Sequence, residues 1–166
     1  MATSGLYNED GSYRVTAVAS VSARATFTPA AASHVGGDVN GGAQTFALAA
    51  PPGSKIKINT VSLEIDGATI ETTAWTLHLY NVTPPSALAD DAAFDLPSGD
   101  RTAYLGSIAI AQVVDLGSTL YVEASNIGKQ LTLASTGTGL FGYLVNGTTL
   151  TPQAVAHIVT INAEIV

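Results

Sequence analysis

The sequence contains no cysteine, only six lysine and arginine residues, and no apolar run approaching the length of a membrane span, which needs about 18 residues. The absence of cysteine excludes disulfides, thiolate zinc sites and cysteine nucleophiles. The six basic residues are outnumbered by 13 acidic ones, for a net charge of −7, and a chain without a basic cluster is repelled by phosphate backbones. We therefore expect neither nucleic acid nor a membrane as a direct partner.

Charged residues make up 11% of the chain, against about a quarter in an average globular protein. Small residues such as Ala, Thr, Ser and Gly replace them, and such a surface favours broad contacts with other proteins. The length of 166 residues predicts a polar N-terminal arm, residues 1–12, and a single domain, residues 13–166. The arm lacks the basic start and apolar centre of a secretory signal, which predicts a soluble protein made in the cytoplasm.

Residues 13–28 carry the clearest pattern in the chain. Every odd position is apolar and every even position except Val18 is polar, which is the period of a β-strand with one buried face. The odd positions are Tyr13, Val15, Ala17, Ala19, Val21, Ala23, Ala25 and Phe27. We predict one long strand, or two strands joined by a bulge, packed closely because the inner face is mostly alanine.

Local sequence signals predict a bulge, a turn and a loop in the rest of the chain. The apolar positions change parity near Asn59 and Thr60, which predicts a bulge inside a strand. Asp66 and Gly67 predict a tight hairpin turn. The Gly-rich stretch that ends near Gln44 predicts a loop.

In total the pattern predicts eight to ten short strands separated by Gly, Pro, Ser and Thr turns. The one candidate helical segment is a single turn after Pro85, with Ser86 as its cap. Many short strands without helices predict an all-β protein, a single-domain antiparallel β-sandwich with the jelly roll as its favoured form.

The sequence offers little chemistry for an active site. His34, His78 and His157 have no carboxylate or second histidine at a metal-ligand spacing, so we interpret each as a structural histidine. There is no Gly-x-Ser-x-Gly motif and no phosphate-binding loop. We predict a protein that is not an enzyme, with no catalytic residue and no cofactor.

The strongest chemical candidate is the acidic loop, residues 81–101, the one long irregular stretch of the chain. Its aspartates can supply oxygen ligands to Ca²⁺, which takes six to eight of them. These candidate ligands are Asp90, Asp91, Asp95 and Asp100. Their spacing does not match an EF-hand, and aspartate forms caps and turns by accepting backbone amides, which is the interpretation we favour. We expect Phe94 and Leu96 to anchor the loop in the end of the sandwich.

Two stretches resemble structural proteins of tailed-bacteriophage virions. "GLYNEDGSYRV", residues 5–15, is similar to a Gly-Leu-Tyr-x-x-Asp-Gly-Ser-x-x-Val segment near the start of many of these proteins. Residues 75–108 resemble small phage and prophage proteins encoded among head genes, in which a Leu-His-Leu-aromatic strand leads through a Pro-Ser segment to a Tyr-Leu-Gly strand. The residues that carry this second likeness are Leu77, His78, Leu79, Tyr80, Pro85, Ser86, Asp91, Ala93, Phe94, Asp100, Tyr104, Leu105 and Gly106.

The resemblance implies a virion structural protein of the head decoration, or cement, type, which binds the outer head surface and stabilises it. The implied partners are the major capsid protein and copies of the chain itself, in a homotrimer or a lattice-bound oligomer. The acidic charge fits an outer position better than contact with packaged DNA.

An alternative is a receptor-binding or carbohydrate-binding module of a tail fibre or baseplate. Jelly-roll sandwiches include lectins, and aromatic side chains can stack on sugars. The candidates are Trp75, Tyr80, Tyr104, Tyr121 and Tyr143. Trp75 shares its strand face with Leu77 and Leu79, which favours the core for this side chain.

Overall fold

The computed structural model describes residues 19–166, which form ten β-strands and no helix. The strands are β1 (Ser20–Phe27), β2 (Val39–Ala47), β3 (Lys55–Ile65), β4 (Trp75–Tyr80), β5 (Tyr104–Ile110), β6 (Val114–Asp115), β7 (Leu120–Ala124), β8 (Lys129–Thr132), β9 (Gly139–Asn146) and β10 (His157–Ile165). With no helix in this part of the chain, no helical membrane span is found there. The predicted arm, residues 1–12, and the first part of the long predicted strand lie outside the described residues.

The strands form two antiparallel sheets that pack face to face. One sheet has the order β1-β10-β3-β7-β6, with β8 also paired to β3, and the other has the order β2-β9-β4-β5. Early and late strands of the chain thus alternate within each sheet, which is the strand order of a jelly roll. The predicted all-β, jelly-roll-like sandwich is confirmed.

The core lies between the two sheets because each strand turns its apolar positions inward. Its largest side chains are fully buried, and those shared by the two sheets are Phe46, Leu48, Ile56, Ile58, Leu63, Ile65, Trp75, Leu77, Leu79 and Ile110. Burying each of them stabilises the fold by about 1.5–3 kcal/mol relative to exposure. Trp75 is 1% exposed, so its predicted core position is confirmed.

The predicted bulge in β3 is confirmed, whereas the predicted loop before Gln44 ends earlier than expected, because β2 begins at Val39. Thr60 pairs with Asn162 and Ile58 pairs with Ala163, which leaves Asn59 as the extra residue. Residues 29–38 lie outside the strands as predicted, but Gly41 and Gly42 belong to β2, with an irregularity between Asn40 and Gln44. Gly41 sits there at a φ of 77°, and a Cβ on it would clash with the Phe27 ring, so these glycines are a bulge that lets β1 approach closely.

The predicted hairpin at Asp66 and Gly67 is also wrong. β3 and β4 lie in different sheets, so residues 66–74 cross from one sheet to the other. The amide of Asp66 donates to the carbonyl of Ala156 at 2.9 Å, which ties this connection to the segment before β10. A hairpin turn signal reports local backbone preference and carries no information about which sheet the next strand joins.

Candidate functional site

The acidic loop covers the outer face of the β2-β9-β4-β5 sheet. Tyr80 and Tyr143 point away from the sandwich interior, yet both are fully buried, because Leu88, Phe94 and Leu96 of the loop pack over them. The expectation that Phe94 and Leu96 enter the end of the sandwich is therefore wrong. They form a third layer, and this layer lets apolar residues of β4 and β9 be buried on both faces of the sheet.

The loop also continues the sheet at the edge of β2. The amide of Val39 donates to the carbonyl of Ala92, and the amide of Asp91 donates to the carbonyl of Val39, both at 2.9 Å. The amide of Phe94 donates to the carbonyl of Gly37 at 2.9 Å. These bonds satisfy the free edge at the start of β2, which otherwise offers unpaired backbone groups.

His78 is the centre of an aromatic cluster beneath the loop. Its ring stacks on Phe94 at a centroid distance of 3.7 Å and an interplanar angle of 24°. Its Nδ1 lies 3.0 Å from the Tyr104 hydroxyl. Burial lowers the pKa of His78 from 6.5 to about 4, because the apolar cover penalises the charged ring. The side chain is held neutral at physiological pH.

Acid is expected to weaken the fold through His78. Because its pKa is lowered in the folded protein, the unfolded chain binds the proton first, and stability falls as pH drops from 6.5 to about 4. The His78→Gln variant lacks the titrating group, so its free energy of unfolding should fall less than that of the wild type over this range. Urea unfolding at both ends of the range measures the two losses, and equal losses would contradict the expectation.

Asp100 fastens the two ends of the acidic loop together. Its side chain is buried, at 1% exposure, and accepts hydrogen bonds from the amide of Ser86, at 3.2 Å, and from the Ser86 hydroxyl. The predicted helical turn capped by Ser86 is wrong. The amide of Ala87 donates to the carbonyl of Pro84 at 3.2 Å, a β-turn, and Ser86 turns its polar groups towards Asp100 instead.

Asp90 joins the loop to the segments on either side of it. Its Oδ2 accepts a hydrogen bond from the amide of Ala30 at 2.7 Å, and its Oδ1 accepts one from the amide of Gly41 at 2.6 Å. Asp91 lies beside it with a φ of 64°, and Asp95 is exposed. Through these two hydrogen bonds Asp90 therefore links the β1–β2 connection to the bulge of β2.

The four predicted calcium ligands do not come together. Asp90 and Asp100 bind different backbone segments, and Asp95 points to solvent. In residues 19–166 no three histidine or carboxylate side chains stand close enough to hold a metal ion. The favoured interpretation of these aspartates as caps and turn formers stays a prediction, with calcium binding as its alternative.

His34 lies in a buried polar network at the end of the sandwich where Asp90 and Asp91 lie. Its Nδ1 is 3.1 Å from the Oδ1 of Asn40, and the Nδ2 of Asn40 donates to the Oδ1 of Asn146 at 3.1 Å. Asn146 donates in turn to the carbonyls of Val35 and Thr148. The network links β2, β9 and the turns around them.

His157 has a partner that the sequence analysis missed. Glu71, in the connection before β4, places its carboxylate oxygens 3.3 Å from His157 Nε2. The exposed fraction of both residues is below 5%. The signal was present in the sequence, since Glu71 has the same parity as the inward residues Trp75, Leu77 and Leu79 of the following strand.

The larger open cleft offers little for catalysis. It has a volume of about 600 Å³ and lies between β8 and the start of the acidic loop. Among the described residues that line it, Lys55 is the one ionisable side chain. A lone lysine without an acid or base beside it does not form a general acid–base pair.

The aromatic residues proposed for sugar stacking are mostly in the interior. Trp75, Tyr80 and Tyr143 are between 0% and 1% exposed, so their rings offer no face to a ligand. Tyr104 and Tyr121 are half-buried, and Tyr104 is engaged with His78.

No protein-family model matches the chain, and no curated protein matches its sequence. Among solved structures, the chain is similar to the capsid asymmetric unit of cyanophage Pam1, with 14% identity and a TM-score of 0.31 over 98% of this chain and 100% of that one. It is similar to mud crab tombus-like virus, with 12% identity and a TM-score of 0.30 over 99% and 89%. It is similar to a virus-like particle of Macrobrachium rosenbergii nodavirus, with 13% identity and a TM-score of 0.28 over 90% and 94%. These TM-scores are below 0.5, so the fold assignment here depends on the strand order.

Proposed function

We propose that this protein is a bacteriophage virion structural protein of the head decoration type. The observation that carries the proposal is where the residues of the second phage-like stretch lie. His78, Tyr80, Phe94 and Tyr104 form one aromatic cluster, and Ser86 and Asp100 close the loop above it. The residues that carry the resemblance therefore lie together in one ordered layer of this molecule, and this common location is the support for the proposal.

In this proposal the protein stabilises the head by bridging neighbouring capsid subunits. In the described residues β1 and β6 are the edge strands of one sheet, and β2 and β5 are those of the other. The acidic loop pairs with the start of β2, whereas edges such as those of β1 and β5 offer backbone groups for pairing with another chain. Three of the outward side chains of β1 are small hydroxyl side chains, and one is positively charged. They are Ser20, Ser22, Thr26 and Arg24. The polar arm, residues 1–12, is proposed to reach adjacent copies or the major capsid protein, in a trimer or at a lattice junction.

A structural role without enzymatic activity agrees with the chemistry of the described residues. Their buried ionisable groups hold backbone segments or each other, as Asp38, Asp100 and the Glu71–His157 pair do. The net charge of −7 is repelled by packaged DNA and suits the outer surface of a head.

The test is to delete the coding sequence from the phage and to compare particle stability. We expect the protein to copurify with wild-type heads, and heads that lack it to lose their DNA at a lower temperature and in milder chelator treatment. Adding the purified protein back should restore resistance. Equal resistance with and without the protein, together with its absence from purified heads, would contradict the proposal. Labelling of tails combined with binding on a glycan array would favour the receptor-binding alternative.

Two variants test, in the same add-back experiment, whether the β1 edge contacts the head. Ser22→Lys places a long charged side chain on the edge strand β1, and Ser118→Lys makes the same change in the exposed turn between β6 and β7. We expect the first variant to fail in the add-back and the second to protect as the wild type does. Protection by both variants would show that the β1 edge is not the contact.

A further inference from the structure

One ring nitrogen of His34 has no hydrogen-bond partner among residues 19–166. The residue is 0% exposed, and its Nε2 makes no hydrogen bond. A buried polar atom without a partner costs free energy, and in a native fold it calls for a specific explanation. The atoms in front of Nε2 are carboxylate oxygens, with Asp90 Oδ1 and Asp91 Oδ1 each 3.8 Å away.

The surrounding network determines which nitrogen of His34 carries the proton. Asn146 uses its amide hydrogens on two carbonyls, so its Oδ1 accepts from Asn40. Asn40 uses its amide hydrogens on Asn146 and on the carbonyl of Asp38, so its Oδ1 needs a donor. That donor is the Nδ1–H of His34. In the neutral ring Nε2 therefore presents a bare lone pair to two carboxylates.

We propose that His34 Nε2, Asp90 Oδ1 and Asp91 Oδ1 bind a divalent transition metal ion of the Zn²⁺ type. A lone pair aimed at two anionic oxygens is unfavourable until a cation lies between them. The hydrogen bond from Nδ1–H to a side-chain oxygen is the outer contact that orients metal-binding histidines. Imidazole together with carboxylate suits zinc, whereas Ca²⁺ prefers oxygen ligands alone.

The donor atoms need only a small movement to close on an ion. Bonds of about 2.1 Å at a tetrahedral angle place two donors about 3.4 Å apart, and His34 Nε2 is 3.8 Å from each oxygen. The three groups are thus too open to hold an ion as they stand, in keeping with the absence of a closed metal cluster among residues 19–166. The Asp91 side chain is 44% exposed and is placed to move, while Asp90 stays fixed on its two amides.

The test uses tag-free protein that has been stripped with chelator and dialysed. Calorimetric titration with zinc chloride is compared for the wild type, for Asp91→Asn, which removes the negative charge of one ligand, and for Asp95→Asn, a matched control with the same charge change on the same loop. We expect one site in the wild type and the control, and at least about tenfold weaker binding in Asp91→Asn. Nitrogen-15 NMR of the imidazole should report zinc at Nε2 of His34, and the melting temperature should rise with zinc.

Several results would overturn the proposal. These are no zinc binding by the wild type, equal affinity in Asp91→Asn and the wild type, or zinc binding that leaves the His34 Nε2 resonance unchanged. Calcium chloride at the same concentration is expected to leave the melting temperature unchanged. A calcium response lost in Asp91→Asn would instead assign the site to a hard cation and overturn the zinc assignment. None of these outcomes depends on the location of the protein in a virion.

Discussion

Replacing Glu71 by alanine is expected to lower the free energy of unfolding by about 3–5 kcal/mol. The Glu71 carboxylate faces His157 Nε2 at 3.3 Å and also accepts a hydrogen bond from the amide of Gln153 at 2.9 Å. His157 Nδ1 lies 3.1 Å from the carbonyl of Val155. Among the described residues, Glu71 is the partner recorded for the other ring nitrogen, Nε2. Alanine leaves the Gln153 amide unpaired, and it leaves unpaired the buried nitrogen of the His157 ring, which packs against Phe27 and Trp75.

Glu71→Gln is the matched control, because glutamine has the same shape and keeps an oxygen for the Gln153 amide. Its NH₂ group can donate to His157 Nε2, so we expect a loss of only about 1 kcal/mol. Urea unfolding followed by two spectroscopic probes gives both values and tests two-state behaviour. A loss below 1 kcal/mol for Glu71→Ala, or equal losses for both variants, would show that the pair does not stabilise the core.

Replacing Asp100 by alanine is expected to cost about 3 kcal/mol, since hydrogen bonds to a buried carboxylate contribute about 1.5–3 kcal/mol each. Asp100 binds both the amide and the hydroxyl of Ser86, so its loss releases one end of the acidic loop from the other. The layer above Tyr80 and Tyr143 should then open more often. Amide hydrogen exchange at Val39 and Phe94, whose amides bond across the loop edge, should become faster.

Asp95→Ala makes the same change on the same loop at an exposed position. It is expected to change the free energy of unfolding by no more than about 0.5 kcal/mol and to leave the exchange rates as they are. If Asp100→Ala behaved like Asp95→Ala, the loop would not depend on Asp100, and its role as an ordered layer would lose its main support.

The strands and the fold class could be predicted because the alternation of apolar and polar residues along a strand is a local property of the sequence. The inward face of β10 follows its parity through His157, Val159, Ile161 and Ala163, all of which are buried. The change of parity near Asn59 likewise predicted a bulge that the pairing of β3 with β10 contains. Each of these signals is complete within one short segment of the sequence.

Long-range pairing was not predictable, because no local signal states which surface a segment will cover. The turn at Asp66 and Gly67 leads into the other sheet, and the acidic loop crosses the outside of a sheet. One sign of that cover was available. In β9 the outward residues Tyr143 and Val145 are large aromatic or apolar residues, as is the inward Leu144, and a strand with such residues on both faces needs a layer on each side.

In the candidate site, too, contacts between distant segments could not be predicted from the sequence. Asp90 and Asp91 were found from the density of aspartates, whereas their neighbour His34 lies far away along the chain and looked solitary. Asp95 and Asp100 were grouped with them by proximity in sequence, yet the fold sends one to solvent and the other to Ser86. Ligand sets built from distant loops can be recognised only after the loops have been placed.

The proposal of a head decoration protein is tested most directly by electron cryomicroscopy of the intact phage particle. We predict density on the outer surface of the head that fits the two sheets of the sandwich and the acidic loop above β4 and β9, in contact with more than one capsid subunit. Heads without such density, or the same density found on the tail, would contradict the proposal.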